Sequence, residues 1–299
     1  LVRSTISSLK STVDNSPLGK RQVVEYAERV FCEKGRMIVF MTETRHGKIP
    51  DWYNKDSEYE EAFNEDTPNA RTTNRTIEKI LKKYKVKTVL DLTCGTGSQV
   101  FWLLKRGYKV TGSDISPGML KIAKRKAKSE KISIKFLRGD MRTIKVGNFD
   151  AAITVFNAIG HLTKAGFEKT MRNIHRNLND GGIYLFDILN LSYVMNDDNI
   201  TKLSLERVKT LGNTKIREIQ HSLIDNKGIL SSYTHYYAQK GSGKPKTSKT
   251  VGTLQLYTAK ELREMLTRNG FKVLGQYGIN GSKFSERETE RIMTVARKK

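Results

Sequence analysis

Short apolar runs alternate with segments of helical spacing through the middle of the chain. The runs are rich in valine and isoleucine and predict strands at 88–92, 109–113, 133–137, 149–154 and 182–186. The segments of helical spacing predict helices at 74–84, 97–106, 117–129 and 165–178. Strands that alternate with helices in this way are typical of βαβ units and a parallel sheet.

The pattern changes on both sides of this region. Residues 1–20 are basic and rich in serine and threonine, which predicts a disordered leader, with a targeting peptide as the alternative. Residues 21–40 have the apolar spacing of a helix, and residues 41–73 are polar and rich in turn formers. Residues 203–256 alternate polar and apolar positions between turn sequences, which predicts a meander of antiparallel strands. A helix at 258–269 and strands at 271–278 and 291–297 follow.

Composition narrows the class of protein. The chain has 299 residues, of which 37% are hydrophobic and 28% charged, as expected of a globular protein. No apolar run approaches the roughly 18 residues that a membrane span needs. The two cysteines, Cys32 and Cys94, are far apart, so a disulfide framework is not expected and a reducing cytoplasm is the simplest location. The five histidines are scattered, and no metal site is predicted.

The formal net charge of +23 has two interpretations. It favours a partner with phosphates, such as RNA, and the densest basic segment is KIAKRKAKSEK at 121–131. It is equally typical of a solubilising, lysine-rich surface. Lysine is spread along the whole chain, which favours the second interpretation.

A glycine turn, VLDLTCGTG at 89–97, follows the first strand of the alternating region. Glycines permit a tight turn and the close approach of a ligand. A dinucleotide fingerprint needs a third glycine where this chain has Val100, which argues against an NAD-dependent oxidoreductase. Asp91, four residues before Gly95, suits a ligand with a cationic amino group, and Cys94 is interpreted as a small apolar turn residue.

Acidic residues also end the next two strands. Asp114, about 20 residues past the glycines, can accept hydrogen bonds from both hydroxyls of a ribose, and Met119 can cover an adenine. Asp140 can accept from the adenine amino group, and the amide of Met141 can donate to a ring nitrogen. All of these positions lie at the carboxyl ends of successive parallel strands, where open α/β sheets bind ligands.

Together these motifs resemble those of class I S-adenosylmethionine-dependent methyltransferases, strongly over 74–190. The resemblance implies that S-adenosylmethionine is the cofactor and S-adenosylhomocysteine the product. It also implies that Arg71, in NARTTNRT at 69–76, pairs with the carboxylate of the donor. The predicted cofactor-binding residues are Arg71, Asp91, Thr93, Gly95, Thr96, Gly97, Asp114, Ile115, Met119, Asp140, Met141 and Phe156.

The segment FNAIGHL at 156–162 is similar to that of small-molecule N-methyltransferases. It lacks the motifs of adenine-N6 and cytosine-C5 enzymes. With the CGTG turn and the strands inserted after the fifth strand, it resembles glycine N-methyltransferases and antibiotic-sugar N-methyltransferases. The resemblance implies a small amine acceptor that Asn157 contacts. FDILN at 186–190 lacks the arginine that glycine enzymes place there, which argues against glycine itself.

Three residues are candidates for catalysis: Asn157, His161 and Tyr53. His161 is hypothesised to desolvate or deprotonate the nucleophile; the alternative is that it only shapes the pocket. Tyr53 and Tyr59 are expected in a lid over the donor or in packing against the sheet. Asp150 and Asp187 are expected to be structural.

Rival functions are an RNA or ribosome-associated methyltransferase and a non-catalytic regulator that binds the cofactor.

The fold class predicted is therefore α/β. We expect a Rossmann-like, doubly wound sheet that is mostly parallel, with an antiparallel final strand and an inserted antiparallel β layer. The predicted divisions are a leader (1–20), an N-terminal helical or lid segment (21–73), the cofactor-binding core (74–202), the inserted layer (203–257) and a C-terminal helix with strands (258–299).

Overall fold

The computed structural model describes residues 32–33, 36–37, 46–47, 52–55, 57–64, 67–196 and 203–299. The chain divides into two compact units, residues 1–43 and 44–299. No helix among the described residues is long and apolar enough to cross a membrane.

In the first unit, strands β1 (Cys32–Glu33) and β2 (Arg36–Met37) pair antiparallel. The helix predicted over 21–40 is therefore wrong at these four residues. Gly35 lies between the two strands in sequence, and glycine favours turns and is a poor helix former. The predicted leader, 1–20, lies outside the described residues.

The second unit contains a seven-stranded sheet of order β12-β13-β7-β6-β3-β4-β5. β3 to β7 are parallel to one another, and β13 runs antiparallel between β7 and β12. This arrangement confirms the predicted fold class and the antiparallel final strand. The bounds are β3 Thr88–Asp91, β4 Lys109–Asp114, β5 Lys135–Arg138, β6 Phe149–Thr154, β7 Leu178–Leu189, β12 Phe271–Gly278 and β13 Arg291–Lys298.

Helices cover both faces of this sheet. The helix predicted at 74–84 begins earlier, because the Thr67 hydroxyl accepts a hydrogen bond from Ala70 N–H and Pro68 occupies the first turn. A 3-10 helix at Ala158–His161 was not predicted. The α-helices are α1 Trp52–Lys55, α2 Ser57–Asn64, α3 Pro68–Lys83, α4 Ser98–Leu104, α5 Pro117–Ser129, α6 Lys164–Asn177, α7 Leu191–Val194 and α8 Ala259–Arg268.

Successive strand residues enter opposite layers of the core. On β3, Val89 packs with apolar residues of α3, α4 and α5, whereas Leu90 packs with those of α6 and α8. On β7, Tyr184 packs on the side of α6 and α8, and Leu185 packs on the side of α3, α4 and α5. Because side chains alternate across a sheet, strands buried on both faces appear in the sequence as continuous apolar runs.

The predicted meander forms a separate four-stranded antiparallel sheet of order β11-β10-β9-β8. Its end lies against the 3-10 helix, where a Cβ on Gly160 would be 3.1 Å from Leu254 Cδ2 and 3.3 Å from Gln255 O. Only glycine fits this contact without displacement. The strands are β8 Ser204–Leu211, β9 Thr214–Ile224, β10 Ile229–Lys240 and β11 Lys246–Gln255.

The chain order reverses between β3 and β6. From β3 it proceeds outward to β4 and β5, and it then returns to place β6 on the other side of β3. Loops leaving the carboxyl ends of β3 and β6 therefore diverge and leave a crevice between them. This crevice is where a ligand site is expected.

We expect Phe167→Ala on α6 to lower the free energy of unfolding by about 3–5 kcal/mol. Phe167 is fully buried, and its ring centroid lies 5.4 Å from that of Phe186 and 5.6 Å from that of Tyr257. Urea unfolding followed by circular dichroism measures the change. The control is Lys169→Ala, an exposed position on the same helix. Equal midpoints for the two variants would contradict the packing described here.

Candidate functional site

A cavity of about 350 Å³ lies in the crevice between the carboxyl ends of β3 and β6. Loops after β3, β4, β5 and β6 line it, and Tyr53 of α1 lies at its wall. Its volume falls within the range of small-molecule sites, about 300–1,000 Å³. Predicted site residues that line it are Tyr53, Thr93, Gly95, Thr96, Asp114, Ile115, Met119, Asp140, Met141, Phe156, Asn157 and His161.

Both glycines of the turn after β3 have a left-handed backbone. The φ angle is +51° at Gly95 and +97° at Gly97, and a Cβ on Gly97 would lie 2.5 Å from the Phe101 ring. Beyond Gly95 there is open space, so a ligand can approach the backbone there. Gly97 itself does not line the cavity, and its role is to start α4.

The Asp114 carboxylate joins two loops of the cavity. Its Oδ2 accepts a hydrogen bond from Gly95 N–H at 2.8 Å, and its Oδ1 accepts one from Ser116 N–H at 2.8 Å. Burial raises the pKa of Asp114, and the N–H groups of Ser116, Gly95 and Ile115 oppose that shift. The side chain is held rigidly at the cavity wall, in position to accept hydrogen bonds from a diol.

Asp91 lies beneath the glycine turn and does not line the cavity. It is fully buried; Oδ1 accepts a hydrogen bond from Thr93 N–H at 3.1 Å, whereas Oδ2 has no hydrogen-bond partner among the described residues. Burial raises its pKa most, the Thr93 hydrogen bond opposes that shift and the charge of Asp114 adds to it, so that the pKa is about 8. Such an acid favours a cationic ligand group, because a nearby positive charge restores its ionised form.

The Asp140 carboxylate is paired with the guanidinium of Arg142. Arg142 binds both carboxylate oxygens, through Nε at 2.9–3.0 Å and through Nη2 at 2.6 Å. Burial raises the pKa of Asp140, but the hydrogen bonds and charge of Arg142 outweigh it and the net shift is downward. Asp140 is therefore an ionised acceptor whose orientation is fixed at the cavity wall.

The turn after β6 is strained. Phe156 and Asn157 have φ angles of +60° and +59°, which cost energy in residues other than glycine. Hydrogen bonds hold the turn: Phe156 N–H donates to Asp187 Oδ1 at 2.6 Å, and Leu189 N–H donates to Asn157 Oδ1 at 2.8 Å. Asn157 lines the cavity, but its amide oxygen supports the backbone.

His161 and Tyr53 meet at the cavity wall. His161 Nε2 lies 2.9 Å from Tyr53 Oη, and the rings contact edge to face. Nδ1 is buried and makes no hydrogen bond with the described residues, although the backbone of Thr253 is close enough to raise the pKa. Burial dominates, and together with the charge of His46 it lowers the pKa of His161 to about 4. The imidazole is therefore neutral near pH 7.

Several contacts hold α1 and α2 over one side of the cavity. Ser116 Oγ lies 3.0 Å from Tyr53 O and 2.8 Å from Asn54 Oδ1. Gly118 permits this approach, since a Cβ there would lie 2.8 Å from Asn54 O. Glu61 of α2 forms an ion pair of 2.6 Å with Lys126. Tyr53 thus has the place expected of a lid residue; the side chain of Tyr59 lies outside the described residues.

Arg71 is not brought to this cavity. It is exposed and lines a neighbouring cavity, which shares Glu61 and Ser98 with the first. Two charged lining residues, Glu61 and Arg291, were not predicted from the sequence. Glu61 is contributed by α2 and Arg291 by the start of β13, far along the chain from the glycine turn. No local sequence signal distinguishes them from ordinary surface charges.

Comparisons with known proteins agree with this geometry. Residues 89–182 match the family model described as a methyltransferase domain. The chain is 26% identical over 230 residues to a Geobacillus sp. (strain WCH70) protein named as a methyltransferase, across 74% of this chain and 90% of that protein. It is 32% identical over 113 residues to the glycine/sarcosine N-methyltransferase of Parasynechococcus marenigrum (strain WH8102), across 36% of this chain and 40% of that protein.

The fold is also found in a solved structure. CalS10, an amino pentose methyltransferase from Micromonospora echinaspora whose structure contains S-adenosylmethionine, aligns with a TM-score of 0.65. The alignment covers 85% of this chain and all of that one, at 17% identity. At that identity the likeness shows the fold alone.

Asp91→Asn tests the buried acid through its pH dependence. Below about pH 8 the native protein keeps Asp91 protonated, whereas the unfolded chain ionises it above about pH 4. The contribution of Asp91 to ligand-free stability therefore decreases as pH rises through that window, by up to about 1.4 kcal/mol per pH unit. Asparagine lacks this contribution, so the variant gains stability relative to wild type as pH rises.

Urea unfolding at about pH 5 and about pH 8 measures this difference. The control is Asp180→Asn, whose side chain is 98% exposed. If the stability difference between Asp91→Asn and wild type is the same at both pH values, Asp91 is ionised in the native protein and the assignment is wrong.

Proposed function

We propose that this chain is an S-adenosylmethionine-dependent methyltransferase that methylates an amine nitrogen of a small molecule. The observation that supports this proposal is the Tyr53–His161 contact at the end of the cavity that Phe156 and Asn157 also line. A hydroxyl held by a neutral imidazole suits a neutral, nucleophilic nitrogen.

The residues of the cavity fit S-adenosylmethionine. We assign Asp114 to the ribose hydroxyls and the Asp140–Met141 turn to the adenine, since these residues line the same cavity as Met119. The unpartnered, buried Oδ2 of Asp91 favours the positive end of the methionine portion. Arg71 is not assigned to the donor's carboxylate, because it lines the neighbouring cavity.

Tyr53 and His161 then orient the acceptor. S-adenosylmethionine, when bound, supplies an electrophilic methyl group on a sulfonium sulfur. We assign the proton of His161 to Nδ1, beside the backbone of Thr253, which leaves Nε2 to accept the Tyr53 O–H. In this arrangement an N–H of the acceptor can donate to Tyr53 Oη. This contact aims the lone pair of the nitrogen, and such alignment accounts for much of the rate in direct displacement.

The pKa of His161 decides against a general-base role. An alkylammonium has a pKa near that of lysine, about 10.4, whereas burial lowers that of His161 to about 4. A gap of about 6 units makes proton transfer to His161 unfavourable by about 8 kcal/mol. We therefore propose that the acceptor loses its proton to solvent, and that His161 positions the Tyr53 hydroxyl.

The cavity also favours a small acceptor over RNA. It is about 350 Å³ in volume, and α1 and α2 are docked over one side of it. Part of the basic helix α5 is paired, since Arg125 contacts Glu58 and Lys126 contacts Glu61. A non-catalytic regulator would need the donor site but has no need of the Tyr53–His161 pair.

Tyr53→Phe and His161→Asn test this mechanism with a tritiated donor and a panel of small amines. We expect kcat/KM to fall by about 10²-fold in each variant, because the acceptor is no longer aligned, while the affinity for S-adenosylhomocysteine changes by less than about threefold. The shape of the pH–rate profile should be the same in His161→Asn as in wild type, because a positioning group does not titrate in this range.

The control for these variants is Tyr108→Phe, a part-buried tyrosine at the start of β4, away from the cavity. An unchanged rate in Tyr53→Phe would remove the hydroxyl from the mechanism. Loss of an ionisation from the profile of His161→Asn, with rescue by added imidazole, would restore the general-base role.

A further inference from the structure

Arg291 is the only cationic side chain among the described residues that line the cavity. It is the first residue of β13 and lies opposite Leu189 of β7; β13 is the third strand from β3 in the sheet. Phe156, Asn157 and His161 line the same part of the cavity. The acidic lining residues Asp114 and Asp140 lie on the β4–β5 side, so the two ends of the cavity differ in charge.

The guanidinium of Arg291 is held in a fixed orientation. Its Nη2 donates to Oδ2 of Asp187, which is fully buried and whose other oxygen accepts the Phe156 N–H. The same guanidinium lies over the Phe156 ring, 5.3 Å from its centroid. The side chain is only 13% exposed, so these contacts restrict both its position and its plane.

Arg291 retains donors for a ligand. Its only hydrogen bond with the described residues is to Asp187, and its buried Nε has no partner there. A guanidinium presents five N–H donors in a planar fork that matches a carboxylate or a phosphate. An arginine with a buried, unused donor at the wall of a cavity indicates an anionic ligand group.

The charge balance supports the acceptor as the source of that anion. The donor has a sulfonium, and an unpaired arginine near it would repel the cofactor. Asp187 offsets the charge of Arg291, and an anionic acceptor then brings a negative charge toward the sulfonium. The offset of the Arg291 charge by Asp187 and the attraction between an anionic acceptor and the sulfonium both favour binding of the acceptor after the donor.

We propose that Arg291 binds an anionic group, a carboxylate or a phosphate, on the methyl acceptor, and so selects acidic amines over neutral ones. This inference rests on the proposed function, because it assumes that an amine enters this end of the cavity. The carboxylate of the donor is the competing ligand, and the experiment separates the two.

The test is calorimetry on full-length protein saturated with S-adenosylhomocysteine. The probes are two matched pairs, glycine with glycinamide and glucosamine 6-phosphate with glucosamine, which distinguish carboxylate from phosphate. We expect wild type to bind one anionic probe at least about tenfold more tightly than its neutral partner. Arg291→Met should abolish that preference and leave the affinity for S-adenosylhomocysteine within about threefold of wild type.

Arg291→Met leaves Asp187 as a buried, unpaired charge, which destabilises the fold. Matched variants keep the test valid if Arg291→Met is unstable for this reason. The double variant Asp187→Asn/Arg291→Met removes both charges and keeps an amide oxygen for Phe156 N–H. It should also lose the preference, as should Arg291→Lys in part, because lysine lacks the fork. The control is Arg287→Met, an exposed arginine on the same segment that does not line the cavity.

Two results would overturn the inference. One is that wild type shows no preference for either anionic probe. The other is that Arg291→Met weakens S-adenosylhomocysteine and the anionic probe by the same factor, which would assign Arg291 to the donor's carboxylate. A wild-type protein that does not bind S-adenosylhomocysteine at all would instead contradict the proposed function.

Discussion

The carboxylate of Asp114 is the point on which the cavity depends. Gly95 and Ser116 belong to different loops, and both donate to this one side chain. Ser116 in turn caps α5 and contacts α1 at Tyr53. Hydrogen bonds to a charged group contribute about 1.5–3 kcal/mol each. One acid therefore connects the glycine turn, the start of a helix and the segment that covers the cavity.

Buried polar atoms without partners destabilise the protein around this cavity when no ligand is bound. Several buried polar atoms at or beneath the cavity have no partner among the described residues: Asp91 Oδ2, Thr93 Oγ1, His161 Nδ1 and Arg291 Nε. Unsatisfied buried groups are rare in folded proteins, and each costs about 1–3 kcal/mol. Their concentration around one cavity indicates that binding partly compensates them. Asp114 and Asp140 lie on the β4–β5 side of the cavity and Arg291 on the β13 side, which fits the proposed cationic donor and anionic acceptor.

The sequence predicts the parts of the fold that depend on local periodicity. Strands β6 and β12 and helix α5 have the predicted bounds, because short apolar runs and the Ser116–Pro117 start are local signals. The ends of α3 and β7 differ from prediction, because a threonine cap and strand pairing extend them.

The residues of the site also fall into two groups, those that local sequence predicts and those that it does not. Glycines and acids at strand ends were recognisable, since parallel strands bring their carboxyl ends together. Arg291 and Glu61 were not, because they reach the cavity from distant segments. Asp187 was expected to be structural, and it does support Phe156, but it also holds Arg291. The low pKa of His161 depends on burial that no spacing of residues reveals.

The most direct test of the account is calorimetric titration of the ligand-free protein with S-adenosylhomocysteine, with NAD as the comparison ligand. We predict saturable binding of one S-adenosylhomocysteine per chain, no comparable binding of NAD, and an affinity about 10- to 100-fold lower in Asp114→Asn. Absence of heat with S-adenosylhomocysteine, or equal affinity in Asp114→Asn, would contradict the assignment of this cavity to the methyl donor.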